Sequence, residues 1–119
     1  MMDIRKLLYD KLNTDKTLTA LLVKNGIYTT YSEDAGTYPV VVISLVDDVP
    51  AIHADNVELA SKTRFQISII TTDAEYDEIE NIVRRDMAEL GAMRRLTTEF
   101  RENNIHYRIL QFVIPNLEE

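Results

Sequence analysis

The stretch RFQISIITTDAEYDEI, residues 64–79, changes its apolar period halfway along. Phe65, Ile67 and Ile69 occupy every second position, which predicts a strand with one face toward the core and the other toward water or a partner. After Thr72 the apolar residues recur every third or fourth position, as in an amphipathic helix. Thr72 and Glu75 fit a capping box at the start of that helix. The stretch therefore indicates a fold that mixes strand and helix.

Two shorter helices are predicted at the N-terminus. Residues 4–12 and 14–22 carry leucines and isoleucine at helical spacing, and Asp3 is a suitable N-cap for the first helix. Thr14 or Asp15 would cap the second helix, and Gly26 would end it in a left-handed conformation. By the same logic, Gly91 is expected to end the long helix that follows Thr72.

The remaining apolar segments predict strands. IYTTY at 27–31 is rich in β-branched and aromatic residues, and PVVVISLV at 39–46 is apolar on both faces, which suits the middle of a sheet. MRRLTTEF and IHYRILQFVI, joined by the turn RENN, predict a closing antiparallel hairpin. The sequence thus predicts one α+β domain over residues 1–119. Its mixed or antiparallel sheet has about four to five strands, with two N-terminal helices and one long helix packed on it.

Residues 47–61 are expected to form a long acidic loop or arm, and residues 115–119 a flexible C-terminal tail. The first segment is longer than most connections, which indicates a functional or mobile element. It contains Asp47, Asp48, Asp55 and Glu58 and no Lys or Arg. A calcium loop of the EF-hand type would also need a glycine at its sharp turn, which this segment lacks. Solvated carboxylates are the simpler interpretation, so no metal site is predicted.

Composition narrows the chemistry further. The formal net charge of -7 disfavours a general phosphate-binding surface, and the absence of cysteine excludes disulfides, thiolate metal sites and a cysteine nucleophile. No apolar run approaches the length of a membrane span or of a signal peptide, so no membrane association is expected. His53 and His106, the two histidines, lie on different predicted elements, and no catalytic set surrounds either one. No cofactor and no enzymatic activity are predicted.

Polar residues on the predicted elements are candidate contacts with other proteins. Arg64 and Gln66 lie on the polar face of the strand at 64–70. The arginine pairs Arg84-Arg85 and Arg94-Arg95 flank the end of the long helix. Guanidinium groups bind carboxylates and phosphates in bidentate fashion, so these pairs suit an acidic partner surface. The acidic residues interspersed with them make ion pairs within the chain the simpler alternative.

Several segments together resemble the tail-completion or tail-terminator proteins of long-tailed bacteriophages and related prophages. The resemblance covers residues 3–114, through DIRKLLYDKLNTDKTLTALL, IYTTY, YPVVVIS, RFQISIITTDAEYDEIENIVRRDM and HYRILQFVI. Its most specific parts are Tyr38-Pro39, before the predicted central strand, and the run from Arg64 to Ile67. These are pattern features of a structural subunit, with no catalytic signature among them.

The resemblance implies a ring of identical subunits, commonly a hexamer, that caps the head-proximal end of the tail tube and helps join tail to head. The implied partners are other copies of the chain, the tail tube protein and a head completion or connector protein. The protein would assemble in the host cytoplasm and end in the virion. DNA would pass nearby without sequence-specific binding, through a channel lined by Asp47, Asp48, Asp55 and Glu58.

Three other functions remain open at this point. The chain could be a head-side connector or neck component that binds the portal or an adaptor ring. It could be a metal-dependent enzyme that uses the acidic segment, although the absence of Cys and the two isolated histidines argue against this. It could also be a host protein-interaction domain.

Overall fold

The computed structural model describes residues 4–22, 26–29, 39–54, 57–72 and 76–117. The three helices are α1 (Ile4–Asn13), α2 (Lys16–Thr19) and α3 (Asp77–Glu89). The five strands are β1 (Ile27–Thr29), β2 (Val40–Ala54), β3 (Val57–Thr71), β4 (Met93–Glu102) and β5 (Ile105–Leu117). These elements confirm the predicted α+β fold, with two helices before the sheet and one long helix within the strand sequence.

All five strands form one sheet in the order β1-β2-β3-β5-β4. β1 runs parallel to β2, and the other neighbours are antiparallel. The prediction that residues 39–46 lie in the middle is therefore off by one strand. β3 is the middle strand, because β2 and β5 pair with its two edges, and β2 lies between β3 and the short β1.

One face of the sheet carries the hydrophobic core. Phe65, Ile67 and Ile69 of β3 are fully buried there, as their alternation predicts, and Phe65 stacks on Phe112 of β5 with ring centroids 5.4 Å apart. The helices pack against this face through a continuous apolar cluster. Its helical members are Ile4, Leu8, Leu12, Leu18, Ile79, Ile82, Val83 and Met87.

The start of α3 differs from the prediction. The helix begins at Asp77, about one turn after Thr72, and its N-cap residue Tyr76 makes no side-chain capping bond. The strand β3 continues to Thr71 and the Tyr76 side chain is buried, so tertiary packing displaces the start that the Thr72 capping box suggested. Glu75 lies outside the described residues. Carboxylates in the first turn of α3 favour its N-terminus in place of the box.

The end of α2 also differs, while its start is as predicted. Asp15 caps α2, because its Oδ1 accepts hydrogen bonds from the amides of Thr17 and Leu18. The helix ends at Thr19, and the next residues continue in tight turns, with Leu21 N bonded to Leu18 O at 2.9 Å. Gly26 therefore does not end it. Asp3, the proposed cap of α1, lies outside the described residues.

Residues 47–61, expected to form a long acidic loop or arm, are not a loop, because most of the segment belongs to the paired strands β2 and β3. β2 and β3 stay paired from Val40↔Ile70 to Ala54↔Val57, and only residues 55 and 56 are not described. The register between β2 and β3 shifts between Leu45 and Asp47 and on either side of Ile52. Such bulges break the alternation of period two by which a strand is recognised, and Pro50 lies beside one of them.

Residues 115–117, expected to begin a flexible C-terminal tail, belong to β5. β5 continues to Leu117, which pairs with Ala60 of β3, so residues 115–117 belong to the sheet. This extension accompanies the long β2-β3 hairpin, because β5 follows β3 along most of its length. Residues 118–119 lie outside the described residues.

The closing hairpin and the end of α3 are confirmed. Gly91 has φ +86° directly after α3, where a left-handed residue costs glycine little. The hairpin turn is narrower than RENN, because Glu102 and Ile105 still pair. Asn103 and Asn104 have φ of 52° and 64°, the pattern of a two-residue type I′ turn.

The buried ring of Phe65 provides a test of the core. We expect Phe65→Ala to lower the free energy of unfolding by about 3–5 kcal/mol, because it leaves a cavity in the middle strand. Phe100→Ala is the matched control, since Phe100 is 47% exposed and stacks only on Tyr107 at the sheet edge, and should cost about 1 kcal/mol. Urea denaturation of both variants measures the difference. Equal losses would contradict the placement of the core.

Candidate functional site

Arg84 and Arg85, the first of the two predicted arginine pairs, form ion pairs with carboxylates of the same chain. Arg84 Nε lies 3.0 Å from Glu80 Oε2 within α3, and Arg85 Nη2 donates to Asp15 Oδ2 at 3.0 Å. The second contact joins α3 to the cap of α2. The alternative of ion pairs within the chain therefore holds for Arg84 and Arg85.

Glu80 is the centre of an ion cluster that sequence analysis missed. Its carboxylate is buried, and its Oε1 accepts a 2.6 Å hydrogen bond from Arg108 Nε of β5. Arg108 Nη1 also donates to Glu99 Oε2 of β4 at 3.2 Å. The hydrogen bond to Glu80 and the charges of both carboxylates hold the pKa of Arg108 above its usual value. One guanidinium thus ties α3 to two strands.

The second arginine pair, Arg94-Arg95, has a different environment. Both residues are exposed on β4, the last strand of the sheet, and a bulge between Arg94 and Leu96 leaves Arg95 outside the β4-β5 register. Arg94 Nη1 donates to Thr97 Oγ1 at 2.8 Å. Within the described ranges, no carboxylate forms an ion pair with either residue. This pair remains a candidate for contact with a partner.

Three large apolar side chains lie exposed beside the arginine pair. Met93, Leu96 and Phe100 are 68%, 49% and 47% exposed, and we refer to them as the β4 patch. Their partners on β5 are Val113, Gln111 and Tyr107, which alternate with the core residues Leu110 and Phe112. The β4 patch therefore lies on the sheet face opposite the helices. The bulge allows Met93 and Leu96, three positions apart, to share that face.

Arg64 and Gln66 lie on this same face of the sheet, as their alternation predicts. Arg64 is exposed and is the register partner of Val113, and Gln66 is half-buried and donates from Nε2 to Ser68 Oγ at 3.2 Å. Because Val113 pairs in turn with Met93, the polar face of β3 adjoins the β4 patch. The structure thus places Arg64 and Gln66 on the same face as the β4 patch, whereas Arg94, opposite the core residue Phe112, lies on the face that carries the helices.

The acidic residues lie toward the other edge of the sheet. Asp47 and Asp48 are in β2, opposite Arg64 and Thr63, and Glu58 is in β3, opposite His53. Asp55 lies outside the described residues. Val46, at the bulge before Asp47, is 46% exposed. The base of the hairpin therefore combines acidic positions with an exposed apolar side chain.

A pair of carboxyl groups lies where the N-terminal helices meet α3. Asp86 is only 3% exposed, and its Oδ2 has no hydrogen-bond partner among the described residues. Burial, and then the hydrogen bond and charge of Asp15, raise the pKa of Asp86 to about 7. Burial opposes ionisation of Asp15 too, but hydrogen bonds from Asp86, the Leu18 amide and Arg85 hold its pKa below the usual value. Asp86 is thus the member of the pair that binds a proton more tightly.

An open cleft of about 390 Å³ adjoins this pair, between α1, α2 and α3. Its walls combine the acidic Asp15, Asp86 and Glu89 with the basic Lys11, Lys16 and Arg85. Among the described residues, no group of three His, Cys, Asp or Glu side chains is arranged to hold a metal ion. The mixed charges are those of an internal ion network, with Lys11 Nζ 3.4 Å from Glu89 Oε2.

None of the helices in the described part of the chain is long and apolar enough to cross a membrane.

The raised pKa of Asp86 has a signed effect on stability. An unfolded chain releases this proton near pH 3.8 and the folded chain near pH 7, so the Asp86 contribution falls as pH rises between those values. Asp86→Asn keeps a donor for Asp15 and removes the titration. We expect the variant to gain stability relative to the natural chain as pH increases across that window, by urea denaturation.

The exposed Asp10→Asn substitution is the control for this experiment, because it removes a carboxylate of α1 that pairs with Lys6 at the surface. Its effect should stay within about 0.5 kcal/mol. A pH-independent difference for Asp86→Asn would contradict the raised pKa of Asp86.

The fold has a likeness among solved structures. A chain of the virion of a native gene transfer agent particle superposes with a TM-score of 0.67, at 19% sequence identity, over 93% of this chain and 92% of that chain. No protein-family model matches the sequence, and no curated protein is similar to it. At this identity the likeness establishes a shared fold over nearly the whole length of both chains.

Proposed function

We propose that this protein is a structural virion-assembly protein that caps the head-proximal end of a phage tail tube and helps join the tail to the head. The observation that carries the proposal is the fold shared with a chain of a gene transfer agent virion across 93% of the present sequence. The resemblance of its segments to tail-terminator proteins supports the same role.

The distribution of charged and apolar groups suits a subunit that works by contact. The β4 patch and Val46 are apolar side chains that a partner would remove from water, each at a free-energy gain of about 25 cal/mol per Å² buried. The arginine pair beside the patch supplies hydrogen-bond donors with fixed geometry. Aromatic, methionine and arginine side chains are also the types enriched at protein interfaces.

A ring would give the acidic hairpin a further role. Asp55 and Glu58 are the acidic residues nearest in sequence to the Ala54↔Val57 pair, and residues 47–61 contain no Arg. Like charge discourages phosphate contacts, so an acidic lining would let DNA pass without adhering. We propose that Asp55 and Glu58 border the channel.

A head-side connector is the alternative role, because the gene transfer agent likeness is to a virion and carries no position within it. The two roles differ in the partner. A tail terminator binds the end of a tail tube, whereas a connector binds the portal or an adaptor ring.

The proposal predicts binding to tube ends. We expect the protein to co-sediment with tail tubes assembled from the cognate tail tube protein, and to appear by electron microscopy at one end of each tube. Because the β4 patch would contact the neighbouring copy within the cap, the charge introduced by Leu96→Glu should weaken the cap and reduce co-sedimentation about tenfold or more. Arg5→Glu, exposed on the helix side, is the matched control and should bind normally.

Binding along the tube walls, or binding to isolated portal rings but not to tubes, would overturn the terminator role. The second result would favour the head-side connector.

A further inference from the structure

The two edges of the sheet differ in charge at the same height. The register runs from Asp47 of β2 to Arg64 of β3, then to Val113 of β5 and Met93 of β4. These four residues form one row across the sheet. One end of the row begins the acidic stretch of β2, and the other end adjoins the arginine pair.

At this height, no strand among the described residues pairs with the outer side of β2 or of β4. β1 pairs only with Val41, Val42 and Ile43, so β2 from Ser44 onward has no described strand on that side. β4 is the last strand on the other side. We call the β2 segment from Ser44 to Ala54 the acidic edge and β4 with its arginine pair the basic edge.

Each edge also presents exposed apolar groups next to its charges. The large hydrophobic side chains exposed in the described residues are Val46, Met93, Leu96 and Phe100. Val46 lies on the acidic edge, directly before Asp47 and Asp48. The other three form the β4 patch, on the same strand as Arg94 and Arg95. The two edges therefore carry opposite charges, and each also carries exposed apolar side chains.

We propose that the acidic edge of one copy docks against the basic edge of the next copy of this chain. Asp47 and Asp48 would face Arg94 and Arg95 of the neighbour, and Val46 would pack against its β4 patch. Bulges interrupt both strands at this height, so side chains rather than a continuous backbone ladder make the contact.

The arrangement has a consequence for symmetry. The two edges are different surfaces of the same molecule, so the contact is head-to-tail, and repeated head-to-tail contacts close into a ring when the rotation allows. An isologous dimer through β4 alone would leave the acidic edge unused. The inference thus deepens the ring that the proposed function requires, and it assigns the surfaces from which the ring is built.

Disulfide cross-linking is the direct test, because the chain contains no cysteine. Asp48 and Arg95 belong to strands three spacings apart in one molecule, about 14 Å, which is too far for a bond within a chain. We expect D48C/R95C to form a ladder of covalent oligomers under mild oxidation. The control D48C/R5C, with its second cysteine on α1, should form no ladder.

Charge exchange provides a second test that does not depend on oxidation. We expect D47K/D48K and R94E/R95E each to raise the dissociation constant for self-association about tenfold or more, because attraction becomes repulsion. A mixture of the two variants should associate again into alternating oligomers, because the intact acidic edge of R94E/R95E can dock against the intact basic edge of D47K/D48K and the two exchanged edges also attract each other. The chain that carries all four substitutions should regain self-association. Sedimentation velocity measures each case.

Three outcomes would overturn the proposal. In the first, the natural chain stays monomeric and the D48C/R95C variant gives no cross-links. In the second, R95C alone forms dimers efficiently. In the third, D47K/D48K associates as strongly as the natural chain. D48K alone serves as the milder variant if the double substitution disturbs the fold. Tube binding is measured separately, so a ring built on these edges that ignores tail tubes would refute the proposed function and leave this contact intact.

Discussion

The alternation of Phe65, Ile67 and Ile69 on β3 is the constraint on which the remaining structure depends. These side chains are fully buried, so a shift of one residue in the pairing would turn all three away from the helices. β3 pairs on both sides, and its register therefore fixes both β2 and β5. Through β5 it also fixes β4. The acidic and basic edges therefore lie at the same height on opposite sides of the sheet because Phe65, Ile67 and Ile69 are buried.

The charges of the molecule divide into two groups with different roles. Glu80, Arg84, Arg85 and Arg108 hold α3 to the N-terminal helices and to the strands, through contacts that are partly screened from water. Breaking such a pair would leave a charge without its partner inside the protein, which costs more than the pair itself contributes. Arg94 and Arg95 have no such role in the described structure. The net charge alone therefore does not predict which charged residues are available to bind a partner.

Sequence periodicity predicted the fold where each residue depends on near neighbours along the chain. The β3 alternation, the Asp15 cap, Gly91 and the closing hairpin belong to this class. Strand order does not, because pairing of β5 with β3 depends on contacts between segments far apart in sequence. The length of the β2-β3 hairpin was not predicted, because bulges and Pro50 disrupt the two-residue alternation of apolar side chains. The Glu80–Arg108 pair escaped because no spacing links a helix position to a strand position, although Glu80 and Arg84 are a readable i,i+4 pair.

The bulge in β4 leaves Arg95 outside the pairing with β5 that orients its neighbours toward or away from the core. Arg95 is the extra residue there, and the strand keeps the same two faces on either side of it, with Met93 and Leu96 on one and Arg94 and Thr97 on the other. Its side chain can change in evolution without disturbing packing or register. In the head-to-tail contact that we propose, a change at this one codon would alter which copies recognise one another, so two related chains could diverge into assemblies that do not mix.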